Sequence, residues 1–205
     1  MELLAKLLGG YERVKIMRFF LHQVEIQIDA SSLSQKVKGR LPNVRKELVS
    51  LASLGFLEKR KGKTPVIVGK KGETKIKEAI IFKLNADFPH NKALKELLFD
   101  FKNIDKKEIA NRFKQVGRIK LFVLAGVFVE SDKFRVDVFI VGESLKKVMA
   151  DKVLDVLSAE LGRTLSISLM DTEEFEYRRK MYDKFVGDVF VLDHEIIIDK
   201  LKGDF

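Results

Sequence analysis

Two glycines, Gly39 and Gly55, bracket the segment that most restricts the fold of this chain. Between them Val44, Leu48, Leu51 and Leu54 recur at spacings of 3 and 4 residues, the period of one helical face. Pro42 stands where a first helical turn tolerates it, because the amide proton it lacks would have no partner there. Gly55 suits the left-handed backbone of a helix C-cap. A helix is therefore predicted from about Pro42 to about Leu54.

The neighbouring segments extend this into an ordered set. Glu12 to His22 reads as a helix, with Val14, Ile16, Met17, Phe19, Phe20 and Leu21 making a broad apolar face. Gly9-Gly10 separates it from a short amphipathic helix at Glu2–Leu8. Glu25-Ile26-Gln27-Ile28 alternates as a short strand should. Asp29 or Ser31 can cap a second helix at Ser32–Lys38, with Leu33 and Val37 inward and Gly39 ending it. Beyond Gly55 comes a basic stretch: Lys59, Arg60, Lys61, Lys63, then Val66-Ile67-Val68, then Lys70, Lys71, Lys75 and Lys77. Ala79 to Leu84 reads as its returning strand. The intervening stretch is longer than a hairpin loop needs, which leaves an extra hairpin or a segment that orders on a phosphate backbone.

Charge says what such a unit would meet. Residues 1–87 hold 18 Lys and Arg against 9 Asp and Glu, whereas residues 88–205 hold 21 of each, so the whole net charge of +9 sits in the first part. A polyanionic partner for that part is the expectation. The basic stretch carries almost no aromatic residues, which favours duplex backbone contact over a platform for stacking single-stranded bases.

The run Leu48-Val49-Ser50-Leu51-Ala52-Ser53-Leu54-Gly55-Phe56-Leu57-Glu58-Lys59 resembles the end of the third helix and the start of the wing in winged-helix transcription factors. The resemblance covers about residues 1–87 and implies a winged helix-turn-helix domain that binds double-stranded DNA. The third helix would enter the major groove, since its solvent face carries Pro42, Asn43, Arg45, Lys46 and Val49. Arginine can fork onto a guanine edge and asparagine can pair with adenine, while Lys46 can contact phosphate. In the wing, Lys59, Arg60, Lys61, Lys63, Lys70 and Lys71 would contact the backbone, and each phosphate neutralised would steepen the salt dependence of binding.

Residues 88–205 predict a second domain. Two leading helices, Asn91–Phe101 and Lys106–Gln115, precede strands at Ile119–Gly126 and Phe134–Gly142. A helix follows at Ser144–Leu161, with Leu145, Val148, Met149, Val153, Val156 and Leu157 at helical spacing. A strand at Leu165–Leu169 comes next, then a helix that Thr172 can cap. The runs Val189-Phe190-Val191 and Glu195–Ile198 close the domain. This order resembles the small nucleotidyltransferase-like domains of the DNA polymerase β superfamily, in which a strand ends in Gly-Ser and the next carries two aspartates that hold divalent metals. Gly126 matches the glycine, Val127 stands at the serine, Arg135 stands at the first aspartate and Asp137 matches the second. Thr164, Ser166 and Ser168 supply no further carboxylate. One carboxylate beside an arginine cannot hold two magnesium ions, and pairing of Asp137 with Arg135 or Lys133 is expected instead.

The fold class expected is thus α/β of the α+β kind: a winged helix-turn-helix domain, then a degenerate nucleotidyltransferase-like α/β domain with a mixed sheet. The function expected is a DNA-binding transcriptional regulator, not an enzyme. Its second domain would serve dimerisation, sensing or partner contact, with Met1–Leu8 and Ser144–Leu161 as candidate homodimer surfaces. An active metal-dependent nucleotidyltransferase and an antitoxin-like adaptor are the alternatives. No cofactor or metal is expected: His22, His90 and His194 are far apart in sequence and cysteine is absent. The lack of a signal-peptide pattern and of a membrane-length apolar run points to a cytoplasmic protein without a membrane partner.

Overall fold

The computed structural model describes residues 2–68, 73–101, 104–131, 133 and 136–201. The chain is mixed α+β, with a 3-stranded antiparallel sheet and a 4-stranded mixed sheet. It divides into two compact units, Met1–Phe99 with Ala159–Arg163, and Asp100–Ser158 with Thr164–Phe205. The expected boundary at residue 87 differs from this division over residues 88–99 and 159–163. Leu98 is buried in the first unit's core, and Phe88, Leu94 and Phe99 pack against it. No helix among the described residues is long and apolar enough to cross a membrane.

In the first unit the order is α1 (Glu2–Leu8), α2 (Tyr11–His22), β1 (Ile28–Asp29), α3 (Ala30–Lys36), α4 (Leu41–Ser53), β2 (Leu57–Val68), β3 (Glu73–Leu84) and α5 (Asn91–Leu98). Helix, short strand, helix, turn, helix and hairpin follow one another as expected. Asp29 caps α3, its carboxylate accepting from the Ser31 and Ser32 amides at 2.8 and 3.1 Å. β1 is two residues long, paired with Phe82 and Ile81, in place of the predicted Glu25–Ile28, and the cap at Asp29 marks its end. One core joins Ile16, Phe20, Leu33, Val37, Val44, Leu48 and Leu51 of the helical segments to Leu57, Phe82 and Leu84 of the sheet.

The end of α4 is a Schellman motif. Gly55, at φ +77°, donates to Ala52 O at 3.1 Å, and Phe56 donates to Leu51 O at 3.0 Å. Six-to-one and five-to-two bonds of this kind satisfy the last helical carbonyls and bring the C″ side chain onto the C3 side chain, here Phe56 onto Leu51. The motif corrects one expectation. Leu54 is 62% exposed, because the reversal at Gly55 carries Phe56 into the core in its place.

β2 and β3 correct another. Instead of two short strands around an extra hairpin, they pair without a break from Leu57↔Leu84 to Val68↔Glu73, over 12 residues each. At about 3.3 Å per residue this is a ribbon about 40 Å long. Gly62 does not interrupt it, since the Ile81 side chain covers that position and a Cβ there would lie 2.7 Å from Ile81 Cγ1.

The second unit runs α6 (Lys106–Arg112), β4 (Arg118–Ala125), a 3₁₀ turn (Gly126–Val129), β5 (Val138–Glu143), α7 (Lys147–Leu161, whose residues 159–161 belong to the first unit), β6 (Ile167–Asp171), α8 (Thr172–Lys180), α9 (Lys184–Val191) and β7 (His194–Asp199). Its sheet order is β6-β5-β4-β7. β5 and β6 are parallel, and β4 is antiparallel to both of its neighbours. Leu121, Val123, Phe139, Val141 and Met170 from the strands pack on Phe175, Val186 and Val189 from α8 and α9.

Three expectations change here. The buried positions of α7 include Ala150, Leu154, Leu157 and Leu161, while Val148 and Val156 are exposed. Asp171, not Thr172, caps α8, accepting from the Glu174 amide at 2.7 Å. Val189–Val191 is the end of a helix capped by Asp183, so β7 alone closes the sheet.

Candidate nucleic-acid interface

The turn between α3 and α4 and the outer face of α4 carry a cluster of exposed basic residues. Leu33 and Val37 on one side of the turn, and Val44, Leu48 and Leu51 on the other, are buried. Burying that stripe turns the remaining positions outward: Pro42, Asn43, Arg45, Lys46 and Val49 are all exposed, as the helical period predicts. Lys36, Lys38 and Arg40 are exposed beside them. Sequence reasoning passed over these three, although their position at the end of α3 and in the short turn before α4 was a sufficient signal.

The lone acid of α4 is occupied. Arg13 Nε donates to Glu47 Oε2 at 2.6 Å and Arg13 Nη2 donates to Ser50 Oγ at 3.0 Å. α2 and α4 are thereby tied together, with the acid engaged by Arg13. Gly39 is closely packed without a left-handed backbone: a Cβ would press on the Glu12 carboxylate and lie 2.8 Å from Val44 Cγ2. The left-handed residue in this turn is Lys38, at φ +49°.

Register divides the ribbon into two faces, because directly opposed residues share a side of the sheet and successive residues alternate. Leu57, Phe82 and Leu84 lie on the core face. The same face continues outward as Lys59, Lys61 and Lys63, opposite Phe82, Ile80 and Glu78 respectively. These three lysines are exposed. Arg60 lies on the other face with Lys83. There Arg60 hydrogen-bonds Gln27 Oε1, and Lys83 Nζ donates to Glu25 Oε2 at 3.0 Å. The six predicted wing residues are therefore not equivalent. Lys59, Lys61 and Lys63 form one row, Arg60 is engaged on the reverse side, and Lys70 and Lys71 lie outside the described residues.

In the second unit, Asp137 is 9% exposed and its carboxylate is surrounded by donors. Oδ1 accepts from the Val127 amide at 3.0 Å, and Oδ2 accepts from the Ser166 amide at 2.8 Å and Ser166 Oγ at 3.0 Å. The Gly126 backbone, at φ +52°, makes room for it: a Cβ at Gly126 would stand 2.4 Å from Asp137 Oδ1. Gly126, Val127 and Asp137 are thus brought together, with Ser166 as the fourth member. Arg135 lies outside the described residues. No group of three or more His, Asp or Glu among the described residues is placed to hold a metal ion.

A buried cation also escaped the sequence. Arg18, on α2, is 1% exposed. Its guanidinium donates to Leu98 O at 2.8 Å and Glu160 O at 2.9 Å, carbonyls in the last turns of α5 and α7. Burial lowers its pKa to about 10, against a partial opposing pull from Glu160. A guanidinium is well suited to this, since its fork reaches two carbonyls at once.

Comparison with protein families, with curated proteins and with solved structures finds no match for this chain.

Proposed function

We propose that the first unit is a winged helix-turn-helix module that binds double-stranded DNA, and that the chain is a cytoplasmic transcriptional regulator. The observation that carries this reading is the basic surface of one compact unit: Lys36, Lys38, Arg40, Arg45 and Lys46 around α4, and the row Lys59, Lys61 and Lys63 on the ribbon. α4 is the element for the major groove, where Asn43 and Arg45 are the residues able to read base edges. The ribbon supplies contacts to phosphate, which position the module without reading sequence.

For the second unit we propose a catalytically silent relative of the nucleotidyltransferase domains, acting in dimerisation, sensing or partner contact. Asp137 supports this reading because its oxygens serve Val127 and Ser166. A carboxylate that accepts from two backbone amides and a hydroxyl has little left to offer a divalent cation.

Selection of bound duplexes from a random pool tests the regulator reading. Enrichment of a motif is expected, and Asn43→Ala with Arg45→Ala should abolish the enrichment while leaving residual affinity. Failure to retain any duplex at low salt would overturn it.

A further inference from the structure

The row of lysines shares its face with two exposed isoleucines. Ile80, opposite Lys61, is 55% exposed, and Ile76, opposite Pro65, is 73% exposed. Isoleucine favours strands, and a single exposed one would call for no explanation. Here two recur four residues apart on the strand face that carries Lys59, Lys61 and Lys63, with Glu78 between them opposite Lys63. The reverse face at the same level carries the small pair Gly62 and Ala79.

Resting on the duplex reading above, we infer that this face of the ribbon enters the minor groove and that Ile76 and Ile80 act as apolar wedges that kink the DNA. Three points lead there. α4 and the base of the ribbon share one core, so with α4 in the major groove the ribbon extends about 30 Å beyond Lys59, far enough to cross the bordering phosphates. The groove beyond is the minor groove, about 6 Å wide. Two strand backbones are already about 4.8 Å apart, so with their outer atoms they are too wide for that groove unless it opens.

Opening the minor groove and bending the duplex toward the major groove go together, and apolar side chains between base steps drive that deformation. Lys59, Lys61 and Lys63, about 6.7 Å apart in turn, would hold the bordering phosphates. Ile76 and Ile80 lie about 13 Å apart along the strand, which corresponds to about four base steps at 3.4 Å each.

The test is energy transfer between dyes at the two ends of a duplex of about 30 base pairs, free and bound to the full chain. Binding is expected to raise transfer by the amount a kink of at least about 20° produces. The Ile76→Thr, Ile80→Thr double variant keeps β-branched residues at two exposed positions. It should still bind, within about tenfold of the parent affinity, but return transfer to the free-duplex value. Binding by the parent chain without a rise in transfer would overturn the wedge and leave the duplex reading intact. Absence of binding would overturn both. An unaltered bend in the double variant, or a change in its oligomeric state by light scattering in place of a change in bend, would likewise overturn the wedge.

Discussion

Replacing Asp137 separates a structural carboxylate from a metal ligand. In Asp137→Ala the Val127 amide, the Ser166 amide and the Ser166 hydroxyl lose their acceptor. Bonds to a charged acceptor contribute about 1.5–3 kcal/mol each, and a buried donor left unsatisfied costs about 1–3 kcal/mol. The three act as one network, so their sum overstates the loss; a net destabilisation of about 4 kcal/mol is expected. For a chain of this length that lowers Tm by roughly 8–16 °C. Asp137→Asn should lose nearly as much, because one of its two positions must present an amide group to donors. Urea and thermal unfolding of the full chain, with and without magnesium and a nucleoside triphosphate, give the readout. The losses should be the same in both conditions, and the parent chain should gain nothing from the additions. A loss below about 1 kcal/mol, or a magnesium-dependent gain that vanishes in Asp137→Ala, would refute the structural role and restore the enzymatic alternative.

Two further substitutions probe the first unit. Arg18→Lys is expected to be less stable than Arg18→Met in urea unfolding, since lysine keeps the cost of burying a charge but cannot reach both carbonyls. Equal or greater stability of the lysine variant would show that the cation, and not its fork, is what matters at this position. Gly55→Ala should cost about 1–2 kcal/mol, the penalty of a left-handed backbone for a side chain with a Cβ, and Gly55→Asn should cost less. An alanine variant as stable as the parent would contradict the cap assigned to α4.

How far the fold was legible depended on how local its causes are. α4 was readable because its stripe, its proline and its glycine cap are all written within one short segment. β4 was readable because its residues 121–125 form an unbroken apolar run, as in a strand buried on both faces. α7 was misread because it has more apolar residues than one face can bury, so periodicity admits two stripes and the neighbouring strands choose between them. Arg18 was invisible because its partners lie 80 and 142 residues away. Within the candidate interface, the residues of α4 followed from the helical period. The split of the ribbon into a lysine row and a reverse side holding Arg60 did not, because it depends on a pairing register that no turn signal set.

The most direct test of the account is the slope of log affinity for duplex DNA against log salt concentration, for the parent chain and for the triple variant Lys59→Ala, Lys61→Ala, Lys63→Ala. If each lysine neutralises one phosphate, the triple variant's slope should be shallower by about 2.7, so that between 50 and 200 mM salt the parent loses about 40-fold more affinity than the variant does. Equal slopes, or a parent chain whose duplex affinity is indifferent to salt, would contradict it.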